Sequence, residues 1–171
     1  MAKKKYKVDI LSHASIERLK KELNNYQKEL ETKTYLLCNK LADIGVQVAQ
    51  ANVVSLDAVF TGELFNSIKS ELVSSNKYRT VFLVKATSSH AIYVEIGTGI
   101  VGAETPYPGL LPVVYAQGKT IRQLADGRYG WFYERGGQWY FTEGMPSRPF
   151  MYLASVEIQE RIIQIAKDVF A

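Results

Sequence analysis

The sequence predicts an α+β fold: a long N-terminal helix and a C-terminal helix packed on a small antiparallel sheet, with a long Gly/Pro-rich arm carrying a β-hairpin. Apolar residues recur at helical spacing through the first third of the chain and again at its end. Between these stripes lie two runs of period-two character joined by turn-forming residues. Then all five prolines and ten of the twelve glycines fall between Gly97 and Pro149. A chain of 171 residues with this balance fits one domain with a core of ordinary size.

Residues 1–14 form an N-terminal arm in which residues 5–11 read as a short strand or extended segment. Lys3, Lys4, Lys5 and Lys7 account for the whole formal charge of +4, so the body is near neutral. A DNA-binding domain usually carries a basic stripe on a folded face, because counterion release supplies most of its affinity. Here only the tail could do this, and a short terminal lysine cluster reads first as a solvated tag.

Residues 15–54 form the long helix, with Ser15 as its N-cap. Its stripe runs through Ile16, Leu19, Leu23, Tyr26 and Leu30, then Leu37, Leu41, Ile44, Val48 and Ala51. The phase slips at Glu31, Thr32 and Lys33, where a break or bend is expected. Residues 61–96 form the sheet region. Strands over 67–73 and 79–86 pair across Ser74-Ser75-Asn76-Lys77, and Ile92, Val94 and Ile96 alternate as a further strand would, though a short helix also fits.

Residues 97–149 form the inserted arm, long enough to be functional and too aromatic to be featureless. Within it Gly136-Gly137 supplies a hairpin turn. Alternation then places Trp131, Tyr133 and Tyr140 on one face and Phe132, Trp139 and Phe141 on the other. A lone two-stranded ribbon buries at most one face on its own domain, so the other needs a partner. Residues 150–170 form the C-terminal helix, with Pro149 suited to its first turn.

Catalytic and cofactor chemistry finds little footing. One cysteine and two histidines give no metal-ligand cluster, and no cofactor is expected. Cys38 lies beside the apolar stripe as a structural thiol. Gly97, Gly99 and Gly102 lack the following Gly-Lys-Ser/Thr of a phosphate loop. Glu95 stands out as a carboxylate in an apolar run, without a second acid beside it. No signal-peptide pattern is expected at the N-terminus, and no run approaches the roughly 18 apolar residues of a membrane span.

Two blocks, Ala91-Ile92-Tyr93-Val94-Glu95-Ile96-Gly97-Thr98-Gly99 and Gly144-Met145-Pro146-Ser147-Arg148-Pro149-Phe150-Met151, resemble the signatures of a phage family of tail components. These are the neck or tail-completion proteins of long-tailed bacteriophages, often called the gene-product-ten family. Thr61-Gly62-Glu63-Leu64 with Ser67-Ile68 resembles the family's lead-in to its sheet, and Tyr107-Pro108-Gly109 with Gly130-Trp131-Phe132-Tyr133 resembles an insertion in some members. The four blocks occur in the family's order, and the insertion's role cannot be inherited from shorter members.

The resemblance implies a virion protein of the neck or upper tail, not an enzyme. It implies a homo-oligomeric ring, six-fold rather than twelve-fold, lying between connector and tail proteins with DNA passing through the lumen. It implies no membrane and no small-molecule substrate, and host cytoplasm as the place of assembly. Interface candidates are Trp131, Tyr133, Trp139, Tyr140, Phe141, Glu95 and Arg148, the last two as a fixed ion pair within or between subunits. Two rivals remain: a nucleic-acid-binding module using the lysine tail and exposed aromatics, and a small hydrolase built on Glu95 and His90.

Overall fold

The computed structural model describes residues 5–59, 62–111 and 122–171. Helix α1, His13–Ser55, begins where Ser12 takes an extended backbone and its hydroxyl accepts the Ser15 amide at 3.3 Å. Ser12 is therefore the N-cap in place of Ser15, whose own hydroxyl accepts the Asp9 amide. The helix runs unbroken through Glu31, Thr32 and Lys33. Polar residues there change what the helix faces, not its backbone: Lys33 pairs with Glu29 one turn back, and the Thr32 hydroxyl donates to the Lys28 carbonyl. Residues 5–9 are irregular and not a strand. Lys3, Lys4 and Thr61 lie outside the described residues.

Helix α2, Glu63–Ser67, leads into β1, Ile68–Asn76, which pairs antiparallel with β2, Arg79–Ala86. The turn sits two residues later than the serines suggest, because the Asn76 side chain accepts the amides of both Tyr78 and Arg79. Val73 is the extra residue of a bulge between Leu72 and Ser74. Residues 61–96 are thus not all sheet. The segment expected to alternate as a strand is helix α3, Ala91–Ile96, with Ala91, Val94 and Glu95 turned inward at helical spacing. Ala91 to Ile96 is interrupted only by Glu95, and so short an apolar run suits either period; in the helix Ile92 ends on the exposed side.

Helix α4, Gly99–Glu104, follows. A ribbon of β3, Trp131–Arg135, and β4, Gln138–Thr142, precedes the two-residue β5, Gly144–Met145, and helix α5, Phe150–Phe170, ends the chain. Pro149 caps α5 from outside and is not in its first turn. The core joins Ala49 and Val53 of α1, Leu64 of α2, Ile68 of β1, Ala91 and Val94 of α3, and Phe150 and Ala154 of α5. Small residues on α1 allow close helix packing: a Cβ on Gly45 would stand 2.8 Å from the end of Ile158. Full burial of Phe150 and Ile68 stabilises the fold by about 1.5–3 kcal/mol each.

Candidate functional site

Two places concentrate the candidate residues: a knot where α3 meets the start of α5, and the aromatic ribbon. The knot arises because the two ends of the 97–149 stretch are laced together. Thr98 bridges Met145 and Gly99 bridges Gly144. The Met145 amide donates to the Thr98 hydroxyl at 3.2 Å, and the Ile100 amide donates to the Glu143 carbonyl at 2.9 Å. The Ser147 hydroxyl reaches the Glu95 carbonyl and the Arg148 amide reaches the Val94 carbonyl, both at 2.9 Å. A Cβ on Gly99 would overlap the Glu143 carbonyl, and one on Gly144 would overlap that of Thr98. Only glycine permits this backbone approach. The ends of the stretch thus belong to the body, and the ribbon of β3 and β4 lies between them along the chain.

Glu95, 8% exposed, sits at the centre of the knot. Its two carboxylate oxygens accept the Met151 amide at 2.9 Å and the Tyr152 amide at 2.8 Å. Helix α5 has no side-chain cap of its own at Pro149, so a carboxylate from α3 satisfies its first turn and meets its positive dipole end. The Tyr107 hydroxyl also bonds to Glu95, and its ring stands edge-on to Tyr152 at 5.7 Å. Burial raises the Glu95 carboxyl above its ordinary range, and the hydrogen bonds from Met151, Tyr152 and Tyr107 oppose that rise. Burial and the neighbouring Glu95 charge push the Tyr107 hydroxyl up to about 12.

No ion pair joins Glu95 to Arg148. The Arg148 Nε donates to the Leu56 carbonyl at 2.9 Å, tying a cation to the C-terminal end of α1. The Glu95 oxygens are taken by the α5 amides, so the two side chains serve different helix ends. No hydrogen bond or ion pair joins Glu95 to His90 either. The Ser88 hydroxyl lies 2.8 Å from His90 Nδ1 and donates to the Glu63 carboxylate at 3.1 Å, and that carboxylate stands 4.0 Å from His90 Nδ1. Cys38 is half-buried, and burial raises its thiol above the ordinary range. Among the described residues no cluster of three or more His, Cys, Asp or Glu could hold a metal, and no helix is long and apolar enough to cross a membrane.

In the ribbon, Trp131 pairs with Thr142, Phe132 with Phe141, Tyr133 with Tyr140 and Glu134 with Trp139. Cross-strand partners share a face, so Trp131, Tyr133 and Tyr140 do lie on one side and Phe132, Trp139 and Phe141 on the other. The turn at Gly136-Gly137 is held by Glu134, which accepts the Gly137 amide at 2.7 Å. Tyr133 stacks on Tyr140 at 5.7 Å, and Phe132 meets Phe141 edge-on at 5.4 Å. Trp139 is nevertheless 66% exposed and Phe132 50%. At the ribbon's base, Trp131 and Phe132 line a cleft of ≈ 610 Å³ with His90, Tyr93, Thr98 and Met145.

Sequence reasoning missed Tyr107, the α5 amides and the Leu56 carbonyl as the partners at the knot. Two of the three are backbone groups, which leave no mark in the sequence. No protein-family model, curated protein or solved structure matches the chain.

Proposed function

We propose that the chain is a structural, non-enzymatic virion subunit of the neck or upper tail of a long-tailed bacteriophage. It assembles as a homo-oligomeric ring, six-fold rather than twelve-fold, between connector and tail proteins, with DNA passing through the lumen. One observation carries this reading. Three of the four blocks on which the family resemblance rests, far apart in sequence, converge into one unit. Leu64 and Ile68 share a core with Val94 and Phe150, and residues 97–100 are laced to residues 143–145. Among the described residues the ribbon stays outside that unit, with aromatics on both faces, more than its own domain covers. Glu95 and Arg148 act as helix-end clamps that hold the ribbon's root in place.

Mass photometry and negative-stain electron microscopy of the purified full chain test the proposal. Closed rings of uniform mass support it. A chain that stays monomeric at high concentration overturns it, and steeply salt-dependent DNA binding by that monomer would favour the nucleic-acid module instead.

A further inference from the structure

We propose that the outer face and tip of the hairpin made by β1 and β2 contact the phosphate backbone of duplex DNA. The inference rests on the ring reading and names the surface that meets the DNA in the lumen.

The N-terminal tail is not the only basic feature, because this hairpin gathers positive charge that the body as a whole lacks. Between Ile68 and Ala86 stand Lys69, Lys77, Arg79 and Lys85, with Glu71 as the single carboxylate. Strand register puts them on one side. Ile68 and Val84 pack into the core and Phe82 meets Tyr35 of α1, so the alternate positions face away from α1. Arg79 and Lys85 share that outer side of β2, and Lys69 lies directly across from Lys85. Lys77 and Tyr78 make the turn between the strands. From Lys85 to Arg79 the row covers about 20 Å at roughly 3.4 Å per residue.

Most of this charge is left unused by the chain itself. Lys85 pairs with Glu71, but among the described residues no ion pair engages Lys69, Lys77 or Arg79, and all three are exposed. Lys77 Nζ lies over the Tyr78 ring at 4.6 Å, and Tyr78 is 85% exposed. The Asn76 side chain holds the Tyr78 and Arg79 amides, so the backbone of the tip is fixed while its side chains face solvent. Duplex DNA has the matching chemistry. It carries one negative charge per ~1.7 Å of axis, and its phosphates accept hydrogen bonds from Lys, Arg, Tyr, Ser and Thr. The hairpin end presents Lys77, Tyr78 and Arg79, with the paired hydroxyls of Ser75 and Thr80 beside them. An acidic protein patch would engage such cations singly, whereas a row about 20 Å long suits a continuous line of charge. Contacts of this kind are weak in one copy and add up when a ring presents several to one duplex.

Fluorescence anisotropy of a short labelled duplex of arbitrary sequence, titrated with the full chain over a range of salt concentrations, tests the contact. The hairpin variant carries Lys69→Gln, Lys77→Gln and Arg79→Gln; the tail variant carries Lys3→Gln, Lys4→Gln, Lys5→Gln and Lys7→Gln. Circular dichroism and mass photometry establish that each keeps the fold and the assembly of wild type. The slope of log affinity against log salt should be shallower in the hairpin variant by about 2.7 for each copy in contact, from about 0.9 per phosphate neutralised. The tail variant should keep the hairpin's share of that slope. Lys69→Arg with Lys77→Arg preserves the charge and should bind as wild type does, so loss of binding there would overturn the inference. A hairpin variant with wild-type binding, or binding abolished by the tail variant alone, would also overturn it. So would a wild type that ignores the duplex and holds a polyglutamate peptide through the same cations, which would assign the face to an acidic protein. Rings seen by mass photometry in any of these cases leave the ring reading standing. A monomeric wild type that binds through the hairpin would keep the contact and overturn the ring, and a monomer that binds no duplex would overturn both.

Discussion

The knot and the ribbon are made of the same materials, short antiparallel pairings, glycines and aromatics, yet they use them in opposite ways. At the knot, Gly99 and Gly144 are required by what lies against them, since a side chain on either would overlap a carbonyl of the facing segment. At the ribbon tip, Gly136 and Gly137 have nothing within 4 Å of where a Cβ would stand, and serve only the positive φ of the turn. Tyr107 and Tyr152 at the knot pack around a buried carboxylate. Tyr133 and Tyr140 on the ribbon pack on each other and leave their outer surfaces in solvent. The knot is over-determined by the chain's own contacts and the ribbon is under-determined by them. That separates a part held by its own packing from a part that the chain's own packing leaves open.

Glycine substitutions break this comparison most sharply. Gly144→Ala combines a φ of +111° with backbone overlap at Thr98, and should lose more than about 4 kcal/mol of stability, enough to unfold a marginal domain. Gly136→Ala at φ +60° meets only the left-handed penalty of about 1–2 kcal/mol. Urea unfolding measures both, and similar losses would mean that the two regions are held alike.

Next in size is Glu95→Ala, which leaves the Met151 and Tyr152 amides and the Tyr107 hydroxyl without their acceptor. The expected loss is about 3 kcal/mol, with the α5 amides exchanging faster with solvent. Unchanged exchange at Met151 and Tyr152 would show that the carboxylate does not cap the helix. Arg148→Ala removes the clamp on Leu56 and should cost about 2 kcal/mol. Because the two side chains serve different helix ends, the coupling in a double-mutant cycle with Glu95→Ala should fall below about 0.5 kcal/mol. A coupling well above 1 kcal/mol would restore the ion pair that the sequence suggested.

The pH dependence at the knot sharpens the same point. Glu95 titrates above its ordinary value of 4.5, since burial outweighs the hydrogen bonds it accepts. The folded chain then holds this proton more tightly than the unfolded chain does. The contribution is fully present below the unfolded value and is lost as pH rises through the folded one. Wild-type stability relative to Glu95→Gln, which does not titrate, should therefore decline as pH rises through the window just above 4.5. A flat difference across that window would mean that the site is solvated.

What was legible in the sequence divides along the same line. Helices α1 and α5 were readable because their stripes are long enough for the helical period to separate from any other. The ribbon's faces were readable because Gly136-Gly137 pins the turn and alternation does the rest. Helix α3 was not, since six residues containing Ile92, Val94 and Ile96 satisfy either period and packing against α5 decides between them. Glu95 and Arg148 were singled out from the right two motifs, and the structure does bring those motifs together. Their partners could not be read, because the acceptor of Arg148 and two donors to Glu95 are backbone groups brought in from other elements.

The smallest expected change is the most telling for the ribbon. Trp139 pairs across the strands with Glu134 and stands 66% exposed near the tip. Cross-strand pairs are worth about 0.2–1 kcal/mol, and a surface substitution away from caps, core and strain is usually neutral within about 0.5 kcal/mol. Trp139→Ser should therefore leave the unfolding midpoint almost unmoved, although the largest side chain type in the protein has been removed. Phe150→Ala, a smaller excision at a fully buried site, should cost about 3–5 kcal/mol. Tryptophan fluorescence supplies the second measurement. The red-shifted emission lost with Trp139→Ser should be that of a solvated indole in the monomer, and Trp139 in the assembled protein should shift to the blue as it leaves water. Emission from Trp139 that is already blue-shifted in the monomer, or a fall in stability comparable to that of Phe150→Ala, would place the ribbon within the chain's own core and remove the contrast between the two regions.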